Sequence, residues 1–433
     1  MSQRDYGLYS NYYSYIALLG PFVGLNLYYG LVNAYMDYKG EIRKVRSSVL
    51  LLSMIGLIIT SVIIFLANKT IGLTIPFASI PFLLTHAYGF FLVNYYIQSM
   101  NMENRYLAKG VMLAVPNVLQ ALFAGIAVII SNTFISRAMG ATLGIISCGI
   151  VAAVLILRDA VPTVNFVYWK YVLRISLPAI IGSVSAMIMQ QCDKVMITSM
   201  AGAESTAVYA LIYNIGYILY AVEQATNGVW QVWLYNTLKD RKYGNITDVQ
   251  KWYLFIMLFL ATGLYMVAPE IIRILSPEIY WQFEYVIPFV IGSYLMLMYT
   301  MNMTVIQYEK RTDISSIIVA LAAGINILLN YMLIPEFGGI SAAYTSVLSY
   351  LFIFIVSSLY LGIKKEFYFE ANYYIRNAVF VSLMGILFFL VKNTTVARYL
   401  LFLCILAVEI MYLVAKRNEV RGLFGERILK TSK

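Results

Sequence analysis

The chain has 433 residues, 61% of them hydrophobic and only 12% charged, with a net charge of +10 and a mean hydropathy of +0.76. Soluble domains carry roughly 25% charged residues, so a chain this long and this apolar is excluded as one or two water-soluble cores. The positive excess fits the bias of Lys and Arg toward cytoplasmic loops better than it fits nucleic-acid binding.

Apolar segments of bilayer length are predicted at about 11–35, 48–67, 75–98, 110–130, 137–157, 172–192, 205–228, 252–271, 285–306, 315–334, 340–363, 375–391 and 397–415. The expectation is an all-α polytopic membrane protein of about thirteen helices. Connections are mostly short, which leaves no room for a soluble domain. The N-terminus lacks the basic n-region, short h-region and cleavage site of a signal peptide. Cys148, Cys192 and Cys404 are far apart and in or beside apolar runs, so neither a disulfide framework nor a metal site follows. No G-x-x-x-x-G-K-[ST] loop, metal-ligand cluster or catalytic triad pattern is present, so neither a cofactor nor an enzyme activity is expected, and ATP-driven transport by this chain alone is disfavoured.

Placing the N-terminal tail outside gives a consistent charge pattern. The inside loops then collect 24 of the 31 Lys and Arg residues, among them Lys39, Arg43, Lys44, Arg46, Lys239, Arg241, Lys242, Lys364, Lys365 and a tail from Lys416 to Lys433. Only Arg4, Lys69, Arg137, Lys194, Arg273, Lys392 and Arg398 remain outside. The expected topology is N-terminus out and C-terminus cytoplasmic.

An internal repeat accounts for the odd helix count. "YGLYSNYYSYIALL" aligns with "TAVYALIYNIGYIL" at a shift of 200, putting Tyr9 on Tyr209 and Tyr13 on Tyr213. "MENRYL" around Arg105 resembles "YEKRTD" around Arg311, and "SRAMGATLGIIS" resembles "GISAAYTSVLSY". In the second half the helix "VLRISLPAIIGSVSAMIMQQ" precedes the matched tyrosine helix, and its counterpart would lie before Met1. The reading is an N-terminal lobe over 1–158 lacking its first helix, a C-terminal lobe over 165–363, and two extra helices with a basic tail over 364–433. A late start assignment or a truncated gene would explain the missing helix, ahead of a natural thirteen-helix form.

The stretch "NILLNYMLIPEFGGISAAYTSVLSYL" resembles the multidrug/oligosaccharidyl-lipid/polysaccharide (MOP) exporter superfamily, in which a helix ending N-x-x-L-N-x-x-L-I-P is followed by a tight turn and G-x-x-x-A-A-x-x-T. Asn326, Asn330, Pro335, Gly339, Ala342, Ala343 and Thr345 stand in those places. "CDKVMITSMAGAESTAVYALIYN" and "VWQVWLYNTLK" are similar to the polysaccharide branch, the O-antigen flippases, although Val232 replaces a usual proline. The resemblance implies a lipid-linked oligosaccharide as substrate, the bilayer and other polysaccharide assembly proteins as partners, and the bacterial inner membrane as location. Read without the family, Asn326 and Asn330 share a helix face suited to interhelical hydrogen bonds, while Pro335 and Gly338–Gly339 end the helix.

Candidate substrate-path residues come from helical spacing. Tyr209, Tyr213, Gly216, Tyr217, Tyr220, Glu223, Gln224 and Asn227 occupy an arc of about 120° on helix 205–228. In lipid such a face must look into the bundle or a wet cavity; tyrosines there suit sugar rings, and the alternative is interfacial and interhelical packing. Glu223 falls at membrane depth, where a carboxylate marks a substrate path, a site for a driving H+ or Na+, or a hydrogen-bonded structural residue. Glu409, in the last helix, reads as structural. His86, the single histidine, is either a satisfied buried residue or a proton-linked substrate contact. Asp193 and Lys194, at the outer end of helix 172–192, are expected at an outer gate. Arg137 and Arg273 are outer-side cations that could meet a pyrophosphate or snorkel to the interface.

Three functions remain open: a flippase for an undecaprenyl-pyrophosphate-linked oligosaccharide working by alternating access, a cation-coupled multidrug exporter of the same superfamily, and a truncated inactive member. The drug-exporter reading needs membrane-depth carboxylates, and the first half shows none inside its predicted helices.

Overall fold

The computed structural model describes residues 1–70, 72–103, 105–158, 163–366, 368–417 and 419. Residues 418 and 420–433 of the basic tail lie outside the described residues. Among the described residues there is no strand, and thirteen helical spans are long and apolar enough to cross a membrane. The protein is thus an all-α polytopic membrane protein. The physical reason is that hydrocarbon offers no partner to a backbone amide, so each spanning segment must close its own hydrogen bonds.

Two compact units divide the chain, Met1–Ala207 with Asn330–Gly339 and Val208–Leu329 with Ile340–Lys433. In the first unit run α1 (Gln3–Val23), α2 (Leu27–Asp37), α3 (Ile42–Thr70), α4 (Ile80–Met102), α5 (Tyr106–Ile130), α6 (Phe134–Arg158) and α7 (Phe166–Ala201). α7 packs on α1, α2 and α3 and so belongs to this unit.

The segment expected as one helix over 11–35 is two. Ser2 caps α1, its hydroxyl accepting from the Asp5 amide at 3.1 Å, which starts the helix well before residue 11. Asp5 also accepts from the Phe134 amide at 3.2 Å and so caps α6. At the other end Pro21 sits inside α1, and Leu25 and Asn26 take left-handed φ values of 47° and 52° before α2 begins. Gly24 is required there: a Cβ would stand 1.8 Å from the Phe91 ring of α4. The buried Asn26 side chain ties the break to α7, donating to Ser183 Oγ at 2.7 Å.

α5 and α6 meet through small residues. Cβ atoms added at Gly140 and Gly144 would lie 2.3 Å from Phe123 O and 2.6 Å from Gln120 N, so this G-x-x-x-G pair lets the α5 backbone come into direct contact. At the α2–α3–α4 corner Arg46, 2% exposed, pairs with Glu103 at 2.7 Å, and Tyr35 donates to the same carboxylate oxygen at 3.2 Å. The Tyr95 hydroxyl donates to the Arg46 carbonyl at 2.9 Å.

The second unit contains most of α8 (Ala203–Lys239), then α9 (Tyr243–Leu275), α10 (Val286–Tyr308), most of α11 (Thr312–Phe337), α12 (Ser341–Lys364), α13 (Ala371–Val391) and α14 (Thr395–Ala415). Asn302 of α10 is its polar hub, donating to Ser357 and Ser358 of α12 and accepting from Tyr374 of α13. Arg398 pairs with Glu270 and Lys392 with Glu284, so both of these cations are neutralised.

Removing one partner of a buried ion pair strands the other. Arg46→Met should lower unfolding stability by about 3 kcal/mol, and Glu103→Gln, which keeps an acceptor for Tyr35, should cost less. Thermal unfolding of the purified protein in detergent checks the order; equal losses for the two would show that charge, not hydrogen bonding, holds this corner.

Candidate functional site

The polar face predicted on helix 205–228 is a continuous aromatic ladder in the second unit. Centroids are 6.1 Å apart between Tyr209 and Tyr213, 5.1 Å between Tyr213 and Tyr217 and 4.4 Å between Tyr217 and Tyr220. Phe289 of α10 meets the first two edge-on. A Cβ on Gly216 would lie 2.4 Å from that of Phe289, so the missing side chain sets the α8–α10 distance and thereby the ladder's support.

One turn further along, Glu223 is 2% exposed and accepts from Gln224 Nε2 at 2.9 Å. Tyr217, Tyr253 and Tyr299 lie close enough to interact electrostatically with its carboxylate. Tyr253 is fixed by a 2.8 Å bond to Thr226 and by stacking on Trp230; Tyr299 stacks on Tyr350. The structure therefore brings Tyr209, Tyr213, Tyr217, Tyr220, Glu223 and Gln224 together, with Asn227 half-buried on the same helix. A carboxylate ringed by phenols can hold a proton or a small cation, or accept from sugar hydroxyls. Sequence reasoning missed Tyr253, Tyr299 and Tyr350, because nothing in their own helices marks them until α8 is beside them.

His86 is fully buried in the first unit. Its Nε2 lies 3.1 Å from Gln120 Oε1, which can only accept, so Nε2 carries a proton. Nδ1 meets Thr142 Oγ1 at 3.2 Å, which in turn bonds the Tyr12 hydroxyl. Both ring nitrogens of His86 are therefore engaged.

Asp193 and Lys194 are inside α7, not at its end, because the helix runs eight residues past Asp193 to Ala201. Both are buried: Asp193 accepts from Asn330 Nδ2 at 2.6 Å, and Lys194 donates to Gln191 Oε1, which also accepts from Ser14 of α1. Asn330 thus has a specific acceptor, and Asn326 donates to Ser346 of α12 at 3.4 Å. Pro335 lies within α11, which ends at Phe337; the turn is made by Gly338 at φ 76°, and Gly339 packs on Ile197. Glu409 is buried against Thr262 of α9, and Arg273 is exposed.

Two cavities open along α1 in the first unit. One, of about 500 Å³, is bounded by Tyr9, Tyr13, Asn117, Gln120, Gly125 and Arg137. The other, of about 340 Å³, is bounded by Tyr13, Gly20, Pro21, Tyr28, Phe90 and Ser183, so it lies at the α1–α2 break. Interrupted helices at membrane depth are tolerated where they are buried or line a cavity. "GPFVGLN" was the sequence signal for that second cavity, a proline and two glycines within one predicted span.

Fold and site define a helical membrane transporter with polar faces built inside apolar units. The model of the family described as "Polysaccharide biosynthesis protein" matches residues 1–223, and the chain belongs to that family. Solved structures share the fold at low identity. An inward-facing multidrug resistance MATE family transporter of the MOP superfamily aligns with a TM-score of 0.57 at 14% identity, covering 84% of this chain and 96% of that one. The Vibrio cholerae MATE transporter VcmN in its bent form gives 0.52 at 12%, covering 86% and 87%. A MOP superfamily transporter from Pyrococcus furiosus gives 0.51 at 14%, covering 84% and 88%. No curated protein matches the chain. Family and fold are those of membrane exporters and not of enzymes.

The Asn330–Asp193 bond gives a direct test of the "NYMLIP" asparagine. Asn330→Ala should cost about 2 kcal/mol by leaving a buried carboxylate oxygen short of a donor. Asn330→Asp should cost more, and adding Asp193→Asn to it should recover most of the loss. Thermal unfolding of the four proteins measures this; no recovery in the double variant would mean that the pair does not carry the effect.

Proposed function

We propose that the protein exports a lipid-linked oligosaccharide, moving an undecaprenyl-pyrophosphate-linked unit of O-antigen, capsule or exopolysaccharide from the cytoplasmic to the outer face of the bacterial inner membrane. The observation that carries this reading is the four-tyrosine ladder of α8 ending at buried Glu223. Flat faces with hydroxyl edges stack on sugar rings and hydrogen-bond their substituents, and successive rings tolerate successive sugars. Membership of a polysaccharide biosynthesis family supports the same substrate class.

In this reading the N-terminus is outside and the C-terminus cytoplasmic, and the repeat-derived lobes alternate access while the lipid tail stays in the bilayer. Glu223, with Tyr217, Tyr253 and Tyr299 near it, takes the driving H+ or Na+. Asp193 and Lys194 hold α7 through Asn330 and Gln191, and their part in an outer gate is to keep α7, α11 and α1 together. Other polysaccharide assembly proteins would receive the exported unit.

The test is a host deletion of this gene, assayed for the membrane face that holds the lipid-linked oligosaccharide. Accumulation on the cytoplasmic face, relieved by the wild-type gene, is expected. Glu223→Gln, which retains a partner for Gln224, should fold normally yet relieve at most about a tenth of the accumulation. Tyr213→Ala with Tyr217→Ala should slow export by about tenfold. Normal export in the deletion, in a host with no second exporter, would sink the reading and bring drug efflux forward.

A further inference from the structure

α14 lies antiparallel along α9, and the contacts between them fall into levels. At one end Lys251 donates to Glu419, just past α14, at 2.8 Å. Next the Tyr412 ring meets Trp252 and Phe255, with centroids 5.9 and 5.1 Å apart. At the other end Arg398 pairs with Glu270. Between these levels Glu409, 5% exposed, is buried against Thr262. We propose that Glu409 is a proton-binding site: it seats α14 on α9 as the neutral carboxylic acid, and loss of that proton loosens the contact. The site shares no residue with the α8 ladder and does not depend on which cargo is exported.

The two ends of this seam neutralise their carboxylates, and its middle does not. Glu419 has Lys251 and Lys416, and Glu270 has Arg398. Among the described residues Glu409 Oε1 is buried with no hydrogen-bond partner. Arg398 and Lys416, the nearest cations along α14, are about 16 and 10 Å away at helical rise and already paired. α9 presents Thr262 here, while its next hydroxyl, Tyr265, lies against Gly385 of α13. The remaining charges of α9, Asp248 and Arg273, are exposed near its ends. On α13 the buried Val381, Met384, Gly385 and Phe388 carry no titratable group, and Arg376 is exposed over the Tyr373 ring.

Proton accounting assigns the state of the carboxyl. The Thr262 hydroxyl donates to the Leu258 carbonyl at 3.0 Å, so toward Glu409 its oxygen can only accept. The donor between them is then a carboxyl O–H. An ionised group would set two acceptors against no donor in an apolar seam. The neutral acid leaves a single carbonyl oxygen unmet, which costs far less. Leucine or glutamine would fill the seam as well; what a carboxyl adds inside a spanning helix is a proton that can leave. The seam is also at the edge of the unit, since Val408 and Met411 beside Glu409 are 60% and 62% exposed. The docked helix binds the proton and the loosened one has no need of it, so proton loss and release favour each other. The sign follows: the contact is complete at low pH and weakens as pH rises.

The test uses dicyclohexylcarbodiimide on the purified full chain in detergent. This reagent partitions into apolar regions and reacts with a carboxyl whose proton can pass to its nitrogen. Peptide mass spectrometry separates Glu409 from Glu223, and from Glu270 and Glu284, whose ion pairs make them internal controls. Near about pH 6 the yield at Glu409 should exceed that at either control about tenfold or more. Thermal unfolding is the second measurement. Glu409→Gln keeps the size and a donor for Thr262 but cannot ionise. Its Tm should lie within about 1 °C of wild type near about pH 6, and should not share the further fall of about 2 °C that wild type shows by about pH 9. Parallel Tm–pH curves for the two proteins overturn the proposal, as does a Glu409 yield no higher than the controls. Sodium chloride slowing the labelling of Glu409, relative to choline chloride at equal ionic strength, would make the ligand Na+ and overturn it as well.

Discussion

Everything in this fold follows from the absence of water in the hydrocarbon layer. An amide that has lost its helical partner there costs several kcal/mol, so the chain is helical almost wherever it crosses. The one break near the start of the chain is accordingly a built feature. Gly24 admits the Phe91 ring, Asn26 reaches Ser183, and a cavity opens beside Pro21. A disruption that would be intolerable against lipid is held by three helices of the same unit.

The same constraint sorts the polar side chains. Asn302, Asn330, His86 and Arg46 are each buried and each bonded to a neighbouring helix. Such bonds are worth on the order of 1 kcal/mol in membranes, but an unmet group costs more, so they fix register even where they add little stability. What these networks leave over is informative. Arg137 lies over the Tyr9 ring and donates to Met1 Sδ, with no carboxylate paired to it among the described residues, and Gln120 Oε1 meets the His86 ring. Glu223 has an amide neighbour and phenols around it.

The number and order of spans were legible because bilayer thickness imposes a length that hydrophobicity reports directly. Helix ends were less legible, and Asp193–Lys194 shows why. Two adjacent charges read as a water-facing terminus, but Asn330 and Gln191 satisfy them inside α7, and those partners come from far along the chain or one turn back. The α8 ladder was legible since four tyrosines at helical spacing reveal a face without tertiary information; Tyr253, Tyr299 and Tyr350, which complete it, were not. His86 was noticed as a lone histidine, yet its partners Thr142 and Gln120 depend on how closely α5, α6 and α4 approach, which the G-x-x-x-G pair determines. The Arg137 cavity lay hidden for a related reason: Tyr9 was visible only as half of a repeat, and its stacking partner sits on another helix.

A transporter must bind its cargo firmly enough to accept it and loosely enough to release it. Deep, fully complementary pockets work against the second requirement, whereas a series of ring faces offers many modest contacts that can be exchanged one at a time. The α8 ladder has this character, with rings 4.4 to 6.1 Å apart over three turns and no charge until Glu223. The α1 cavities repeat the theme with Tyr9, Tyr13 and Tyr28, and with charge confined to Arg137 at one end. Sparse charge on long aromatic tracks discriminates by the position of an ionic group along an extended ligand more than by total affinity. Under the proposed export of an oligosaccharide, that is the selectivity required, since such a cargo varies in length and pattern while the ring faces do not.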